Sequence, residues 1–487
     1  MTHSISFGTD GWRAIIAEQF TFANVERVAY ASGLYIKETY YKNGAKPPVL
    51  IGYDTRFLAD KFAWRTAEVL LGMGIEAKIT NRDVPTPVIA WATQVEKTAG
   101  ALQLTASHNP PEYCGIKYIP DYAGPATNEI TNKIAGYLNE FPADFEHVPA
   151  DVQTFDPRPS YVEAVKKRVD WKMICDSKLR VACDTIYSTS TGYLDTLLAE
   201  TGLQTKALHN WRDPLFGGGM PEPKPEYLKE LIALVRNENY DIGVATDGDA
   251  DRFGIIDETG TYLSPNQLLC LLTRHLVKNH GMRGAVVRTV ATTHFVDRLC
   301  EMYGLELHET PVGFKYIGEL MRKTDVLIGG EESGGLSVKG HIPEKDGILA
   351  NLLTIEMIAF EKKPLSQIWK DLQTEAGLHL IGKRRDLRLT PQTQRRLIEE
   401  LSNKPFEKIG EERVEKVGRA DGVKFYLDSR NWVLVRPSGT EPLLRLYFEG
   451  TSEQKVVQTM NDFEKGLDPI IDGLRKQPGG SMKEAVH

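Results

Sequence analysis

A strand, a helix and a second strand are predicted in turn by residues 49–80, VLIGYDTRFLADKFAWRTAEVLLGMGIEAKIT. The run VLIGYD is apolar and partly β-branched, KFAWRTAEVLLGMG has helical spacing, and EAKIT is again strand-like. Alternation of this kind predicts βα units and an α/β fold. Three later strand-like runs also contain polar, Thr-bearing segments, which suggests a repeated α/β module: RVACDTIYS (180–188), DIGVATDGD (241–249) and VVRTVATT (286–293).

Composition and charge exclude several classes of protein. The chain has 487 residues, 41% of them apolar and 26% charged, so a large core and several domains are expected. A net charge of −7 is unlike a globally basic nucleic-acid binder. No run of about 18 apolar residues predicts a membrane span, and the start lacks a secretory signal pattern. Five scattered cysteines without a CxxC pair indicate reduced thiols and a cytoplasmic protein.

Several segments are candidate boundaries. The Pro-rich, acidic run 141–160 is predicted to be a linker, and the turn-rich run 257–267 precedes an amphipathic helix. The segment EKKPLSQ (361–367) and the following basic run GKRRDLR (382–388) suggest another boundary. The last part, about 380–475, is predicted to begin with a helix, followed by strands, a loop, a strand and a helix. Residues 475–487 are expected to be disordered.

The segment LTASHNPPEYCGIK (104–117) places Ser107 in a turn at the end of a short strand. The exposed hydroxyl could be a nucleophile or a phosphate carrier, or the turn could simply be stabilised by Ser and Asn side chains. A Ser-His hydrolase is disfavoured, because Ser107 and His108 are adjacent and no G-x-S-x-G elbow surrounds them.

The segment DIGVATDGDADRFGIID (241–257) carries Asp247, Asp249 and Asp251 between two strand-like runs. Three carboxylates this close repel one another unless a hard cation is bound, so a divalent-metal site is expected. A calcium loop of the EF-hand type is disfavoured, because Arg252 stands where that loop needs Gly. Arg252 would instead offer a phosphate contact beside the metal.

Two further loops carry polar groups after strands. VLIGGEESGGLS (326–337) presents paired glutamates that could accept bonds from sugar hydroxyls, or form a solvated acidic turn. VLVRPSGTEPLLRLYFEG (433–450) presents an arginine, hydroxyls and free backbone N–H groups that could cradle a phosphate, or form an ordinary hairpin. GLHLIGKR (377–384) is not a P-loop, because it ends in Arg384 instead of Ser or Thr.

Together with FGTDGWR (7–13), these motifs resemble the α-D-phosphohexomutase superfamily, in particular phosphoglucomutase and phosphomannomutase. They follow the family's order over nearly the whole chain: TASHNPP resembles the phosphoserine loop, DGDADR the metal loop, GEESGG the sugar loop and RPSGTEP the C-terminal phosphate loop. The resemblance implies an α/β protein of four domains around a central cleft, three similar α/β modules and a smaller α+β C-terminal domain. Their expected limits are 1–145, 150–256, 257–372 and 380–475.

The resemblance also implies roles for individual residues. The expected catalytic residues are Ser107, Lys117, His108 and Arg13, with Ser107 carrying the phosphoryl group and Lys117 as general acid/base. The expected ligands of one Mg²⁺ per chain are Ser107, Asp247, Asp249 and Asp251. The expected substrate-binding residues are Arg252, Lys315, Glu331, Ser333, Arg436, Ser438, Gly439 and Thr440, with Arg288 as a further candidate.

The implied reaction is interconversion of glucose 1-phosphate and glucose 6-phosphate through a phosphoserine enzyme and a 1,6-bisphosphate intermediate. Glucose 1,6-bisphosphate is the expected activator, and the expected partners are small sugar phosphates, with no nucleic acid and no membrane. GEESGG is closer to glucose-preferring members than to the Glu-Met-Ser variant of bifunctional mannose/glucose enzymes. Mannose phosphates remain open as substrates, a glucosamine-phosphate mutase is less expected, and the oligomeric state is open.

Two other functions use the same motifs. A hexose 1,6-bisphosphate synthase would need every residue named above and would differ in releasing the intermediate. A non-catalytic sugar-phosphate binder is disfavoured, because Ser107, Lys117 and the three aspartates are all intact. One departure from the family is Cys114, where Asn is common. Replacing Cys114 by Asn is expected to keep turnover within a few-fold.

Arg436→Ala is predicted mainly to weaken substrate affinity, because it removes a cation from a clamp on the non-reacting phosphate. Steady-state kinetics should show a raised KM with a smaller change in kcat. Unchanged kinetic constants would remove Arg436 from this role.

Overall fold

A computed structural model describes residues 5–8, 11–146, 152–438 and 443–475. The chain divides into two compact units. The first unit comprises the chain up to residue 285 together with residues 314–370, and the second comprises residues 286–313 and the chain from residue 371.

The first unit begins with a six-stranded mixed sheet. Its strands are β1 (Trp12–Ile15), β2 (Val49–Tyr53), β3 (Ala77–Thr80), β4 (Ala101–Leu104), β5 (Tyr113–Ile119) and β6 (Gln153–Phe155), and the helices between them are α1 (Phe22–Tyr40), α2 (Ala59–Gly72), α3 (Thr86–Val95) and α4 (Asn128–Gly136). The strand order is β1-β5-β4-β2-β3-β6. The strands β3, β2 and β4 are parallel neighbours, as expected for βα units, whereas β5 is antiparallel to β4 and β1.

A five-stranded sheet follows in the same unit. Its strands are β7 (Arg180–Asp184), β8 (Gln204–Leu208), β9 (Ile242–Thr246), β10 (Phe253–Asp257) and β11 (Tyr262–Leu263), and its helices are α5 (Arg158–Lys166), α6 (Trp171–Asp176), α7 (Leu194–Glu200) and α8 (Lys229–Glu238). The order is β11-β10-β9-β7-β8. The antiparallel hairpin of β9 and β10 holds the loop with the three aspartates.

The central part of the chain contributes to both units. In chain order its elements are α9 (Pro265–Lys278), β12 (Ala285–Thr289), α10 (Phe295–Tyr303), β13 (Leu307–Thr310), α11 (Phe314–Lys323), β14 (Val326–Gly330), β15 (Leu336–Val338), α12 (Gly347–Glu361) and α13 (Leu365–Ala376). In the first unit, β14 and β15 form an antiparallel pair around the GEESGG loop. In the second unit, β12 and β13 are parallel. The predicted amphipathic helix after 257–267 is confirmed as α9, which begins with a capping box between Ser264 and Gln267.

The C-terminal part of the second unit is an antiparallel sheet with helices. Its elements are β16 (Ile381–Arg388), α14 (Pro391–Asn403), β17 (Lys408–Ile409), β18 (Glu412–Arg413), β19 (Lys416–Gly418), β20 (Val423–Tyr426), β21 (Trp432–Pro437), β22 (Leu443–Gly450) and α15 (Glu453–Arg475). The sheet order is β16-β22-β21-β20-β19. Its core includes the buried rings of Phe425, Phe448 and Phe463. Within the ranges that the structure describes, no helix combines the length and apolarity needed to cross a bilayer.

The predicted α/β fold is confirmed, and two local predictions are wrong. The basic run 382–388 forms most of the edge strand β16, and the C-terminal part therefore begins with a strand instead of a helix. Charged side chains are common on edge strands, and in this run they interrupt the apolar–polar alternation from which a strand is predicted. The predicted linker 141–160 contains β6, which pairs with β3, and the start of α5. The predicted disordered tail lies outside the described residues, apart from Arg475 at the end of α15.

Cys114 lies on β5 with no exposed surface and packs in the core of the first sheet. Lys117 lies on the same strand and not in a turn, and its side chain points to the opposite face because strand residues alternate. Cys114→Asn is therefore predicted to bury an amide, which costs about 1–3 kcal/mol where partners are lacking.

Calorimetry should show a lower Tm for Cys114→Asn than for Cys175→Asn, a control at a half-buried position on α6. Turnover per folded molecule should stay within a few-fold for both variants. Equal Tm values for the two variants would contradict the core assignment of Cys114.

Candidate active site

Ser107 is buried in the loop between β4 and β5, with 2% of its surface exposed. Its Oγ donates a hydrogen bond to Asp247 Oδ2 at 2.8 Å. Its backbone has φ of +52°, in the left-handed region that costs a residue other than glycine about 1–2 kcal/mol. The fold therefore holds this serine in an unfavourable backbone conformation with its hydroxyl aimed at the aspartate loop.

Asp247, Asp249 and Asp251 converge on one point. Each offers a carboxylate oxygen, these oxygens lie within 4.8 Å of one another, and all three side chains are buried. Burial and the charges of Asp249 and Asp251 raise the pKa of Asp247 well above its ordinary value. Burial also acts on Asp249, but Lys117 and the Thr86 hydroxyl outweigh it and lower the pKa of Asp249.

Two lysines compensate this buried negative charge. Lys117 Nζ lies 3.2 Å from Asp249 Oδ2 and 3.7 Å from Asp251 Oδ2. Lys345 Nζ lies 2.9 Å from Asp251 Oδ2. The Lys345 side chain crosses over Gly335, where an added Cβ would stand 2.4 Å from Lys345 Cδ. The last glycine of GEESGG thus leaves room for this lysine.

The aspartate cluster fits a hard divalent cation. Among the described residues, Asp249 Oδ1 and Asp251 Oδ1 are buried without a hydrogen-bond partner. Buried carboxylate oxygens of this kind are ligands for Mg²⁺, which prefers oxygen donors and keeps part of its water shell. Asp247, Asp249, Asp251 and the adjacent Ser107 Oγ form an all-oxygen donor set with the expected chemistry.

His108 and Arg13 lie at the serine loop. His108 Nδ1 is 3.3 Å from Ser107 Oγ. Burial and the neighbouring Arg252 and Arg13 charges lower the pKa of His108 well below its ordinary value, so its ring is neutral. Arg13, on β1, donates to Ala106 O at 3.2 Å and to Asn109 Oδ1 at 2.8 Å. Residues 9–10 of the FGTDGWR motif lie outside the described residues.

Arg252 joins the aspartate loop to the GEESGG loop. Its backbone N–H donates to Asp247 Oδ1 at 3.0 Å, and the next residue, Phe253, donates to Gly334 O at 3.2 Å. Burial lowers the pKa of the Arg252 guanidinium, but the negative charges of Asp247 and Asp251 outweigh burial and raise this pKa above its ordinary value. Glu331 makes a smaller contribution that also raises it. Glu331 is buried at the start of the GEESGG loop, whereas Ser333 is exposed.

Lys315 donates a hydrogen bond to an asparagine side chain. It lies on α11 and its Nζ donates to Asn128 Oδ1 at 2.6 Å, at the start of α4. This bond uses one of the three N–H donors of the ammonium group.

The expected phosphate loop lies in the second unit and is described in part. Arg436 is buried at the end of β21, and its Nε donates to Asp421 Oδ2 at 2.6 Å. Ser438 N donates to Leu443 O at 2.8 Å. Gly439 and Thr440 lie outside the described residues.

Arg288, also in the second unit, is engaged by acidic side chains. Its Nε and Nη2 donate to Asp297 at 2.6 and 2.8 Å, and its Nη1 donates to Glu309 at 2.6 Å. This guanidinium is paired with internal carboxylates in the structure, and its suggested contact with substrate stays a prediction.

Four residues at the site were not predicted from the sequence: Arg56, Thr86, Gly248 and Lys345. Thr86 Oγ1 donates to Asp249 Oδ2 at 2.7 Å from the first turn of α3. Gly248 lies between two of the aspartates, where an added Cβ would stand 2.4 Å from Ser107 O. The DGD spacing offered a signal for Gly248, whereas no local pattern marks Thr86 or Lys345.

A second cluster, His275, His280 and Glu356, is satisfied by hydrogen bonds. The two Nε2 atoms lie 2.9 and 3.2 Å from Glu356 Oε2. Asn279 Nδ2 contacts both His275 Nδ1 and Glu361 Oε1, which identifies this nitrogen as a donor to the ring. The His275 proton therefore lies on Nε2 and points at Glu356, so the ring presents no lone pair to a metal there.

Four profiles of one family match the chain in the predicted order. They are phosphoglucomutase/phosphomannomutase α/β/α domains I, II and III, at residues 4–142, 159–260 and 264–376, and the C-terminal domain, at residues 400–466. The chain is 30% identical to a phosphoglucomutase/phosphomannomutase of Thermococcus kodakarensis, covering 96% of this chain and 99% of the relative. It is 29% identical to a phosphoglucosamine mutase of Clostridium kluyveri, covering 92% and 96%.

A solved structure shares the fold over the same length. The crystal structure of a protein described as a phosphomannomutase, from Thermus thermophilus, is 34% identical and superposes with a TM-score of 0.83. The match covers 96% of this chain and 100% of that chain.

Gly248→Ala is predicted to push the aspartate loop away from Ser107, because the new Cβ would clash with the Ser107 carbonyl. A displacement of about 1 Å can lower turnover by about 10²-fold. Gly136→Ala is the control, since nothing lies within 4 Å of a Cβ at that helical position. Turnover and circular dichroism of both variants test this, and wild-type turnover in folded Gly248→Ala would contradict it.

Proposed function

The chain belongs to the phosphoglucomutase/phosphomannomutase family of the α-D-phosphohexomutase superfamily, and we propose that it interconverts glucose 1-phosphate and glucose 6-phosphate. The observation that carries this proposal is the hydrogen bond of Ser107 Oγ to Asp247, inside the buried aspartate cluster. A serine carrying a phosphoryl group there would lie against the oxygen donors of a cation site.

In the proposed cycle, the Ser107 Oγ–P bond breaks as the phosphoryl group forms a bond to O6 or O1 of the sugar. The sugar hydroxyl loses a proton, and the departing Ser107 oxygen gains one. Lys117, as an ammonium beside Asp249, can give a proton to Ser107 Oγ and take one from the sugar hydroxyl. The resulting 1,6-bisphosphate reorients, and Ser107 takes back the other phosphoryl group.

Charge neutralisation is the main task of the protein in such a reaction. Asp247, Asp249 and Asp251 would hold Mg²⁺, which supplies positive charge to the transferring phosphoryl oxygens when bound. Arg252 and Arg13 add guanidinium groups near the serine loop. Because Ser107 Oγ gives its one proton to Asp247, the Nδ1–H of neutral His108 can donate to Ser107 Oγ and help orient the unphosphorylated hydroxyl.

The preference for glucose is inferred from the GEESGG loop. Glu331 is buried where this loop packs on the start of β10, and carboxylates accept hydrogen bonds from sugar hydroxyls. Ser333 is exposed on the same loop and is the second proposed hydroxyl contact. Arg436, Ser438, Gly439 and Thr440 are proposed to bind the phosphate that does not react, and Lys315 is proposed as a further contact with the substrate.

We further propose a cytoplasmic enzyme that uses one Mg²⁺ per chain and glucose 1,6-bisphosphate as activator. The five cysteines are free thiols, four of them buried, which suits a reducing compartment.

Phosphorus NMR of the protein with Mg²⁺, glucose 1-phosphate and a trace of glucose 1,6-bisphosphate should show conversion to the 6-phosphate. Mannose 1-phosphate and glucosamine 1-phosphate, added separately, should react more slowly. Faster reaction of either sugar would overturn the glucose preference. Bisphosphate accumulating beyond enzyme equivalents would replace the mutase with a synthase.

Ser107→Ala should lower turnover by at least ~10³-fold, because it removes the group that carries phosphate. Isothermal titration should still detect glucose 1-phosphate binding to this variant. Ser32→Ala is a matched control, because Ser32 is a buried serine whose Oγ donates to Val28 O at 2.8 Å within α1. Turnover by Ser107→Ala near the wild-type rate would exclude a phosphoserine mechanism.

A further inference from the structure

The backbone of Ser107 is held at both of its polar atoms by residues that do not touch the reacting groups. We propose that Arg56, Thr105 and Asp54 are positioning residues that fix Ser107 for phosphoryl transfer, an inference that rests on the proposed function. They act through the Ser107 peptide groups and not through the phosphate, the metal or the sugar.

Arg56 holds the carbonyl side of the loop. It follows β2 and is completely buried. Its Nη2 donates to Ser107 O and to Asn109 O, each at 2.7 Å. Its Nη1 donates to Pro110 O at 2.7 Å and to Tyr113 O at 2.9 Å. One guanidinium therefore ties together four carbonyl groups of the loop from Ser107 to the start of β5.

Thr105 holds the nitrogen side of the same residue. The Ser107 N–H donates to Thr105 Oγ1 at 2.9 Å. Thr105 is itself buried, and its backbone N–H donates to Gly115 O at 2.9 Å across the hairpin to β5. Its hydroxyl is thus fixed relative to the sheet, and so is the Ser107 N–H.

Asp54 anchors this arrangement and balances its charge. Asp54 Oδ2 accepts from Arg56 Nε at 3.1 Å, and Asp54 Oδ1 accepts from the Arg56 N–H at 3.0 Å. Burial raises the pKa of Asp54 to about 6, against the charge of Arg56 and the Thr105 hydroxyl, which lower it. Because the two opposite charges are paired and buried, Arg56 orients the loop without adding net charge beside the phosphoryl group.

The left-handed conformation of Ser107 gives this support its importance for the reaction. A residue at φ of +52° relaxes toward ordinary backbone angles when its peptide groups are released. Rotation of the Ser107 backbone would carry Oγ away from Asp247. Loss of the support should therefore lower kcat, while the groups that bind the sugar and its distal phosphate stay in place.

The first test replaces Thr105 by Val, which keeps the shape and removes the acceptor of the Ser107 N–H. We expect kcat to fall about 10- to 100-fold with KM within about 3-fold, and Thr105→Ser to recover most of the loss. Thr66→Val is the matched control, since Thr66 is a buried threonine of α2 whose Oγ1 donates to Phe62 O at 2.9 Å. Wild-type kcat in Thr105→Val, or an equal loss in Thr66→Val, would overturn the inference.

The second test does not depend on the reaction. Hydrogen–deuterium exchange of peptides covering residues 105–113 should be faster in Arg56→Lys than in the wild type. It should be unchanged in Arg274→Lys, which alters a different buried arginine, paired with Glu361 at 2.6 Å. Unchanged exchange in Arg56→Lys overturns the positioning role whatever the enzyme catalyses. Faster exchange in Arg56→Lys supports the positioning role. If the wild type also lacks mutase activity, the proposed function is overturned while the positioning role stands.

Discussion

The burial of three carboxylates within 4.8 Å of one another is the constraint on which the site depends. Burial of an unpaired charge carries a large free-energy penalty, so the surrounding elements must supply cations and hydrogen-bond donors. Lys117 comes from β5, the Thr86 hydroxyl from α3, and Lys345 from the segment before α12. These groups belong to the parts of the chain matched by domain profiles I and III, whereas the aspartates belong to the part matched by profile II. The negative charge of the three aspartates is therefore balanced by groups from the other two matched parts, so all three parts must pack together in the first unit.

Part of the site could be predicted from neighbours in sequence. Asp247, Asp249 and Asp251 share one short loop, so their spacing predicts a cation site, whereas the turn at Ser107 left two interpretations open and its role came from the family resemblance. Lys345 and Arg56 were missed because Asp251 and Ser107, which they contact at the site, are distant from them in sequence. Their own surroundings resemble a helix start and a strand end. The edge strand β16 was missed for another reason, because its charged side chains hide the alternation that predicts a strand.

We propose that arginines serve two distinct purposes in this protein. Arg252 and Arg13 lie at the aspartate and serine loops, where a guanidinium can meet a phosphoryl group. Arg56 and Arg288 are buried against aspartate partners, and their N–H groups donate to acceptors within the protein. The sequence shows an arginine in each case. Only the carboxylates and carbonyl groups around it distinguish an arginine available to a ligand from one that stabilises the protein itself.

The short strand β6 follows the part of the chain matched by domain profile I, yet it pairs with β3 and completes the first sheet. A fragment cut before residue 153 would leave β3 with a row of unpaired N–H and C=O groups, which invites strand addition and aggregation. A separately produced first module should therefore extend through Phe155. The unit that can be exchanged between proteins of this architecture is longer than the unit that sequence similarity outlines.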